Sequence, residues 1–163
     1  MTAEDVVELY STLESQRISI WIDGGWAVDA LLGQQTREHS DLDIAIEERH
    51  VSALRALLES RGYHDVPSDD TSRWNFVIGD EHGRQVDVHA FVFDREGNVA
   101  EGIAYPHGSL TGSGTISGKP VKCIEPGHLV RFHTGYPLRD SDWHDVTALC
   151  DRFGIELPAE YQR

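Results

Sequence analysis

Three aspartates and a pair of glycines carry the chemistry in this sequence. Asp41 and Asp43 stand two apart in Asp41-Leu-Asp-Ile-Ala-Ile46. On an extended strand, positions two apart share a face, so both carboxylates project together while Leu42, Ile44 and Ile46 point into a core. Two carboxylates ~4 Å apart repel by about 4 kcal/mol at an effective dielectric of 20, and a bound cation or one protonation relieves it. Asp87 is the third acid. It sits in Arg84-Gln-Val-Asp-Val-His-Ala-Phe-Val-Phe93, where Val86, Val88, Ala90 and Val92 alternate to one face and Asp87, His89, Phe91 and Phe93 to the other. Strands disfavour Asp, so an acid among Phe and Val asks for a reason. Three strand carboxylates make an oxygen site of the kind that Mg2+ takes together with substrate phosphates.

A second feature lies upstream. Trp21-Ile-Asp-Gly-Gly-Trp26 reads as a strand that meets Gly24 and Gly25 and turns at once into a helix. Paired glycines let the backbone approach an anion, and the first N–H groups of the helix point at it. Arg37 is a neutralising partner for a triphosphate; the plainer alternative is a surface pair with Glu38. Together these are the parts of a phosphoryl- or nucleotidyl-transfer site, with phosphates on the glycine turn and acids around two divalent ions ~3.5–4 Å apart.

The elements that must position these residues follow from periodicity and punctuation. Thr2 caps a helix to about Ser15, with Val6, Leu9, Tyr10 and Leu13 on one face. A strand over Ile18–Ile22 precedes a short helix, Trp26–Leu32, ended by Gly33. Asp41–Ile46 is a strand and His50–Ser60 a helix, with Val51, Leu54, Leu57 and Leu58 inward and Gly62 its terminator. Strands Arg73–Ile78 and Arg84–Phe93 form a hairpin across residues 79–83. Residues 94–118 hold most of the turn formers, and Gly112-Ser-Gly114 reads as a mobile loop near an acceptor pocket. A short hairpin around Ser117-Gly-Lys-Pro120 leads into a strand over Val121–Ile124. Two helices follow, one from about Pro126 to Thr134. The other runs from about Ser141 to Phe153, with Trp143, Val146, Cys150 and Phe153 on one face. The order αβαβαβββαα predicts an α+β fold, a small mixed β-sheet packed by helices with a C-terminal helical segment. Length predicts a single domain over 1–163, with a catalytic core at about 1–105 and a C-terminal hairpin and helices at about 115–157.

Charge narrows the partners. Fourteen Lys and Arg stand against 28 Asp and Glu, a net charge of −14, and no basic patch interrupts the excess. Such a chain repels nucleic-acid backbones and anionic lipid, so neither is an expected partner, whereas a cationic small molecule is attracted. No apolar run approaches the ~18 residues of a membrane span, and the acidic residues 1–15 are unlike a secretory signal, so the expected location is cytoplasmic. Cys123 and Cys150 lack metal-ligand spacing and read as reduced thiols in or near the core. Nine histidines include no H-E-x-x-H, and His128 and His133, five apart, fall off one helical face.

Gly24-Gly25, Asp41-x-Asp43 and Asp87 together resemble the polymerase-β-type nucleotidyltransferase superfamily, and the closer likeness is to its small antibiotic-modifying members. Trp21-x-Asp-Gly-Gly-Trp-x-Val-Asp29, Arg37-Glu-His-x-Asp-x-Asp43 and Val86-Asp-Val-His89 resemble short-type lincosamide nucleotidyltransferases, as does the ending Phe132-His-Thr-Gly-Tyr136 with Asp142 and His144-Asp145. Aminoglycoside 2″-type adenylyltransferases share the Gly-Gly-Trp-Ala and Asp-x-Asp pieces. The resemblance spans roughly Trp21 to Phe153. It implies transfer of AMP from ATP to a hydroxyl of a small antibiotic, lincosamide first and aminoglycoside second, with release of pyrophosphate by a monomer or homodimer. It implies that Asp41 and Asp43 hold two Mg2+ ions, that Asp87 shares one or acts as general base, and that Gly24, Gly25 and Arg37 contact the nucleotide. His89 then touches the acceptor or orients Asp87, a plain structural histidine being the alternative. Asp142 or Asp145 faces a cationic ligand, although their acid-rich segment also suits a helix N-terminus. Two rivals stand beside this reading: the same chemistry on a protein or RNA acceptor, and a binding module that keeps the fold without the catalysis.

Overall fold

The protein, represented by a computed structural model, is described over residues 1–162. Helix α1 (Ala3–Ser15) opens with a capping box: Asp5 N–H donates to Thr2 Oγ1 at 3.2 Å, and Thr2 N–H donates to Asp5 Oδ2 at 2.8 Å. Its buried face is Val6, Leu9, Tyr10 and Leu13, as the 3.6-residue period requires. Strand β1 (Ile20–Asp23) starts two residues later than the apolar run, because the Ile18 N–H still donates to Leu13 O at 2.9 Å to close α1. Helix α2 (Gly24–Leu32) begins at Gly24, not Trp26, since Asp23 is its N-cap. Strand β2 (Asp41–Glu47) and helix α3 (Val51–Ser60) follow, separated by one 3-10 turn over Glu48–His50.

The remaining strands are β3 (His64–Val66), β4 (Asn75–Gly79), β5 (Gln85–Phe93), β6 (Val99–Gly102), β7 (Gly112–Ile116) and β8 (Lys119–Cys123). Helices α4 (Pro126–Phe132) and α5 (Asp140–Phe153) close the fold. The expected α+β architecture is therefore present, with β3, β6 and β7 beyond the predicted order. One mixed sheet runs β3-β4-β5-β2-β1-β8-β7, with β6 also on β5. The β2–β5 and β1–β8 pairs are parallel and the rest antiparallel. Helix α2 packs against β1, β2, β7 and β8, and α4 and α5 pack on α2.

Two sequence expectations need correcting. Gly112-Ser-Gly114 is not a mobile loop but strand β7, joined to β8 by Ser117 and Gly118, both at positive φ. A Cβ on Gly114 would stand 2.2 Å from Ala30 O, so glycine there lets the strand lie against α2. Phe153 does not face the core; it is 38% exposed, and the buried face of α5 is Asp142, Asp145, Val146, Leu149 and Cys150. Both cysteines are free and buried, as expected. No helix among the described residues is long and apolar enough to cross a membrane.

Candidate active site

Sheet register brings the acids together. Asp23 of β1 pairs with Asp43 of β2, and Asp43 pairs with Asp87 of β5. Residues directly opposite on adjacent strands share a face, so Asp23, Asp43 and Asp87 stand in a row across three strands. Asp41 lies two positions along β2 and His89 two along β5, both on the same face. The hydrophobic alternation holds this register: Leu42, Ile44, Val86 and Val88 are fully buried on the opposite face, and a slip by one residue would bury the acids instead.

Asp23 is the acid the sequence reading left as part of a turn. Its Oδ1 accepts the Gly24 N–H at 2.8 Å, and its Oδ2 accepts the Tyr105 hydroxyl at 2.8 Å. The signal available was an acid at a strand end directly before a helix, the pattern of an N-cap. The two glycines are explained by close approach. At Gly24, with φ +56°, a Cβ would stand 2.2 Å from Asp43 Oδ2; at Gly25 it would stand 2.5 Å from both Arg37 Nη2 and His39 Nδ1. The turn thus presses on the Asp43 carboxylate from one side and on Arg37 from the other.

Electrostatics mark these acids as short of positive charge. Burial first, and then the neighbouring Asp41, Asp23 and Asp87, push the Asp43 carboxyl well above the usual carboxylate range, with Arg139 offsetting part. Burial also raises Asp87, with Asp41, Asp70 and Asp23 adding to it and His89 opposing. His89 Nε2 is 3.5 Å from Asp87 Oδ1, and its Nδ1 is 3.9 Å from Asp23 Oδ2. Asp87 Oδ1 and His89 Nδ1 are both buried and lack a hydrogen-bond partner. Asp43, Asp87 and His89 each offer a ligand atom within 4.8 Å of the others. Two carboxylate oxygens, one imidazole nitrogen and orphaned buried atoms make a donor set that fits a divalent cation. Asp41 lies beside this set, and His89 enters it.

A cavity of about 630 Å3 opens over the row, with Gly24, Gly25, Arg37 and the four acids on one side and Ile103, Tyr105 and Phe132 among the apolar groups lining it. Arg37 is not paired with the Glu38 carboxylate. Its Nε and Nη2 donate to Asp145 Oδ1 at 2.9 Å and Oδ2 at 2.6 Å, and Nη1 donates to the Glu38 carbonyl at 3.2 Å. Asp142, also expected to face a cation, accepts the Arg139 N–H at 2.8 Å and its guanidinium at 3.3 Å. Asp142 and Asp145 are only 1% exposed, and each is held by an arginine of this chain. The segment carrying Arg37 is fixed by Asp29 of α2, whose Oδ1 accepts Thr36 N–H and Oγ1–H at 2.9 and 2.7 Å and whose Oδ2 meets His39 Nε2 at 2.5 Å.

Known proteins resemble this chain in sequence and in fold. The chain is 27% identical over 160 residues to a lincosamide resistance protein of Staphylococcus haemolyticus, covering 91% of this chain and 94% of that protein. It is 32% identical over 121 residues to a 2''-aminoglycoside nucleotidyltransferase of Escherichia coli, covering 71% of this chain and 63% of the relative. Its fold is similar to the lincomycin-bound lincosamide antibiotic adenylyltransferase LnuA, with a TM-score of 0.79 at 24% identity over 91% of this chain and 96% of that one. It is also similar to ANT(2")-Ia in complex with adenylyl-2"-tobramycin, with a TM-score of 0.77 at 22% identity over 93% and 89%. The family model for aminoglycoside-2''-adenylyltransferases matches residues 5–149, which takes in the glycine turn, all four acids and both arginine-holding aspartates. On that match the chain belongs to the aminoglycoside-2''-adenylyltransferase family.

Proposed function

We propose that this protein transfers AMP from ATP to a hydroxyl group of a lincosamide-type antibiotic in a Mg2+-dependent reaction that releases pyrophosphate. The observation that carries the reading is the row Asp23–Asp43–Asp87, with Asp41 beside it, facing a glycine turn at a helix N-terminus. Asp41, Asp43 and Asp87, with His89 alongside, are the residues that would hold the metal. When bound, Mg2+ supplies charge stabilisation to the triphosphate and to the attacking oxygen.

The chain's own groups account for the rest. The α2 N-terminus, left open by Gly24 and Gly25, directs backbone N–H groups at the donor phosphates. The acceptor hydroxyl attacks the α-phosphorus in line, the bond from that phosphorus to the bridging oxygen breaks, and pyrophosphate leaves with the bonding pair. Asp87 is placed to take the hydroxyl proton, with His89 at 3.5 Å to orient it. Tyr105 holds Asp23 in place as the cap of α2. A lincosamide is favoured because the lincosamide resistance protein matches over nearly its whole length, and because the cavity sets the apolar Ile103, Tyr105 and Phe132 beside acids. The family match supports an aminoglycoside as the second acceptor.

Incubation with Mg-ATP and a panel of lincosamides and aminoglycosides, followed by pyrophosphate release and product mass, tests the reading. Lincosamides should gain one AMP, and Asp43→Asn should abolish release while remaining folded. Turnover confined to a protein or RNA acceptor would reassign the substrate, and full activity of Asp43→Asn would remove its proposed role.

A further inference from the structure

Among the residues lining the central cavity, the lysines and arginines number two, Arg37 and Arg139, in a chain whose net charge is −14. Each is gripped by a buried aspartate of α5, and the two aspartates, Asp142 and Asp145, stand three apart on one helical face. Bidentate pairing to Asp145, with the Glu38 carbonyl, uses three of the five N–H groups on Arg37 and leaves two. Arg139 spends its Nε and Nη2 donors on Asp142, and its side chain is 74% exposed. The Arg37 guanidinium lies against Gly25 at the start of α2, and Arg139 is near enough for its charge to act on both Arg37 and Asp43. Two guanidinium groups brought this close repel, and the two carboxylates behind them offset that repulsion until an anion arrives.

We propose that Arg37 and Arg139 form a two-arginine clamp on the pyrophosphate portion of the nucleotide donor, and that Asp145 and Asp142 are positioning residues that hold the clamp open. This rests on the donor being a nucleoside triphosphate, as proposed above. The C-terminal helix then serves the leaving group and not the acceptor. Both of its buried carboxylates already accept from arginine, so neither is a free counter-charge for a cationic antibiotic. As the bond at the α-phosphorus breaks, negative charge builds on the oxygen departing with pyrophosphate, and pre-aimed guanidinium donors meet it without reorganisation. Arg37 contacts the phosphates beside the glycine turn, and Arg139 meets them with the donors that Asp142 leaves free.

The test measures affinity for inorganic pyrophosphate, AMP and lincomycin separately by calorimetry, alongside steady-state adenylylation, on the full chain. Arg139→Gln, which leaves Asp142 the residue-139 backbone N–H and the Tyr136 hydroxyl as donors, should weaken pyrophosphate binding about tenfold or more and raise the KM for ATP, leaving AMP and lincomycin affinity unchanged. Asp145→Asn should weaken pyrophosphate binding as well, and that loss should disappear in an Arg37→Gln background, a coupling that a merely structural carboxylate would not show. Unchanged pyrophosphate affinity in Arg139→Gln, or a loss confined to lincomycin, would overturn the clamp, as would a wild-type protein that binds no pyrophosphate. A wild-type protein whose pyrophosphate binding depends on Arg139 but which adenylylates no antibiotic would leave the clamp standing and refute the acceptor reading instead.

Discussion

The molecule keeps two sets of aspartates around its cavity and treats them in opposite ways. On α5, Asp142 and Asp145 are each matched to an arginine. Burial works against the charged Asp142, but the Arg139 backbone N–H and guanidinium outweigh it and hold its carboxyl below the usual range. On the sheet, Asp43 and Asp87 have no arginine donor; burial first, and then neighbouring acids, raise both, and His89 offsets only part of this at Asp87. The residue type is the same; what separates the sets is that each α5 acid has an arginine donor, whereas the sheet acids have none and are raised by burial and by one another. A carboxylate whose charge is already met inside the chain holds structure together, whereas one left unmet is a place for a cation from outside.

The largest expected effect comes from disturbing the unmet set. Gly24→Ala puts a methyl where Asp43 Oδ2 now sits, at a φ of +56° that disfavours any side chain. Displacing one carboxylate by about 1 Å should lower kcat by roughly a hundredfold or more, read as pyrophosphate release. Retained activity in Gly24→Ala would mean that the turn does not set the Asp43 geometry. Breaking the met set should act on stability first. Asp145→Ala strands the half-buried Arg37 guanidinium, and we expect a loss of about 3 kcal/mol in chemical denaturation. A variant as stable as wild type would place Asp145 with the unmet acids and dissolve the contrast.

Much of this was legible before the structure. The alternation Leu42, Ile44, Ile46 against Asp41, Asp43, and Val86, Val88 against Asp87, His89, specified two strands and the face on which the acids meet, because a period of two admits one burial pattern. The α1 stripe and the Thr2 cap were equally plain. Strand β3 was not, since His64-Asp-Val66 is a three-residue edge with exposed polar residues and no pattern to read. Strand β7 looked like a loop because its glycines answer to a backbone approach from α2, which local sequence does not encode. The inward face of α5 was misread at Phe153 because what α5 buries near its start is Asp142 and Asp145, and the partner of Asp145 lies 108 residues away. Asp23 escaped notice for the same reason: its neighbours Asp43 and Tyr105 are supplied by the sheet and by a distant loop.

A third carboxylate turns the comparison into a pH experiment. Asp80, at the β4–β5 turn, accepts the Arg84 and His82 N–H groups at 2.9 and 3.0 Å and Arg84 Nε at 2.7 Å. Burial opposes its charge, yet these donors hold its carboxyl below the usual value. A lowered folded-state value means that the charged form stabilises the fold above the ordinary carboxylate range, and that this contribution fades as pH falls through the lowered value. Asp80→Asn should therefore cost about 1 kcal/mol at pH 7, with the gap to wild type closing as pH falls through the lowered carboxyl value. Asp43→Asn, measured with divalent ions chelated, should behave in reverse. Its raised carboxyl opposes folding once charged, so the variant should be the more stable by about 1 kcal/mol at pH 7 and equal to wild type only well below the ordinary carboxylate value, where the carboxyl is protonated in both states. Crossed profiles in thermal denaturation between pH 3 and 7 would show met and unmet acids as two electrostatic classes; parallel profiles would mean that the sheet acids find their counter-charge within the chain.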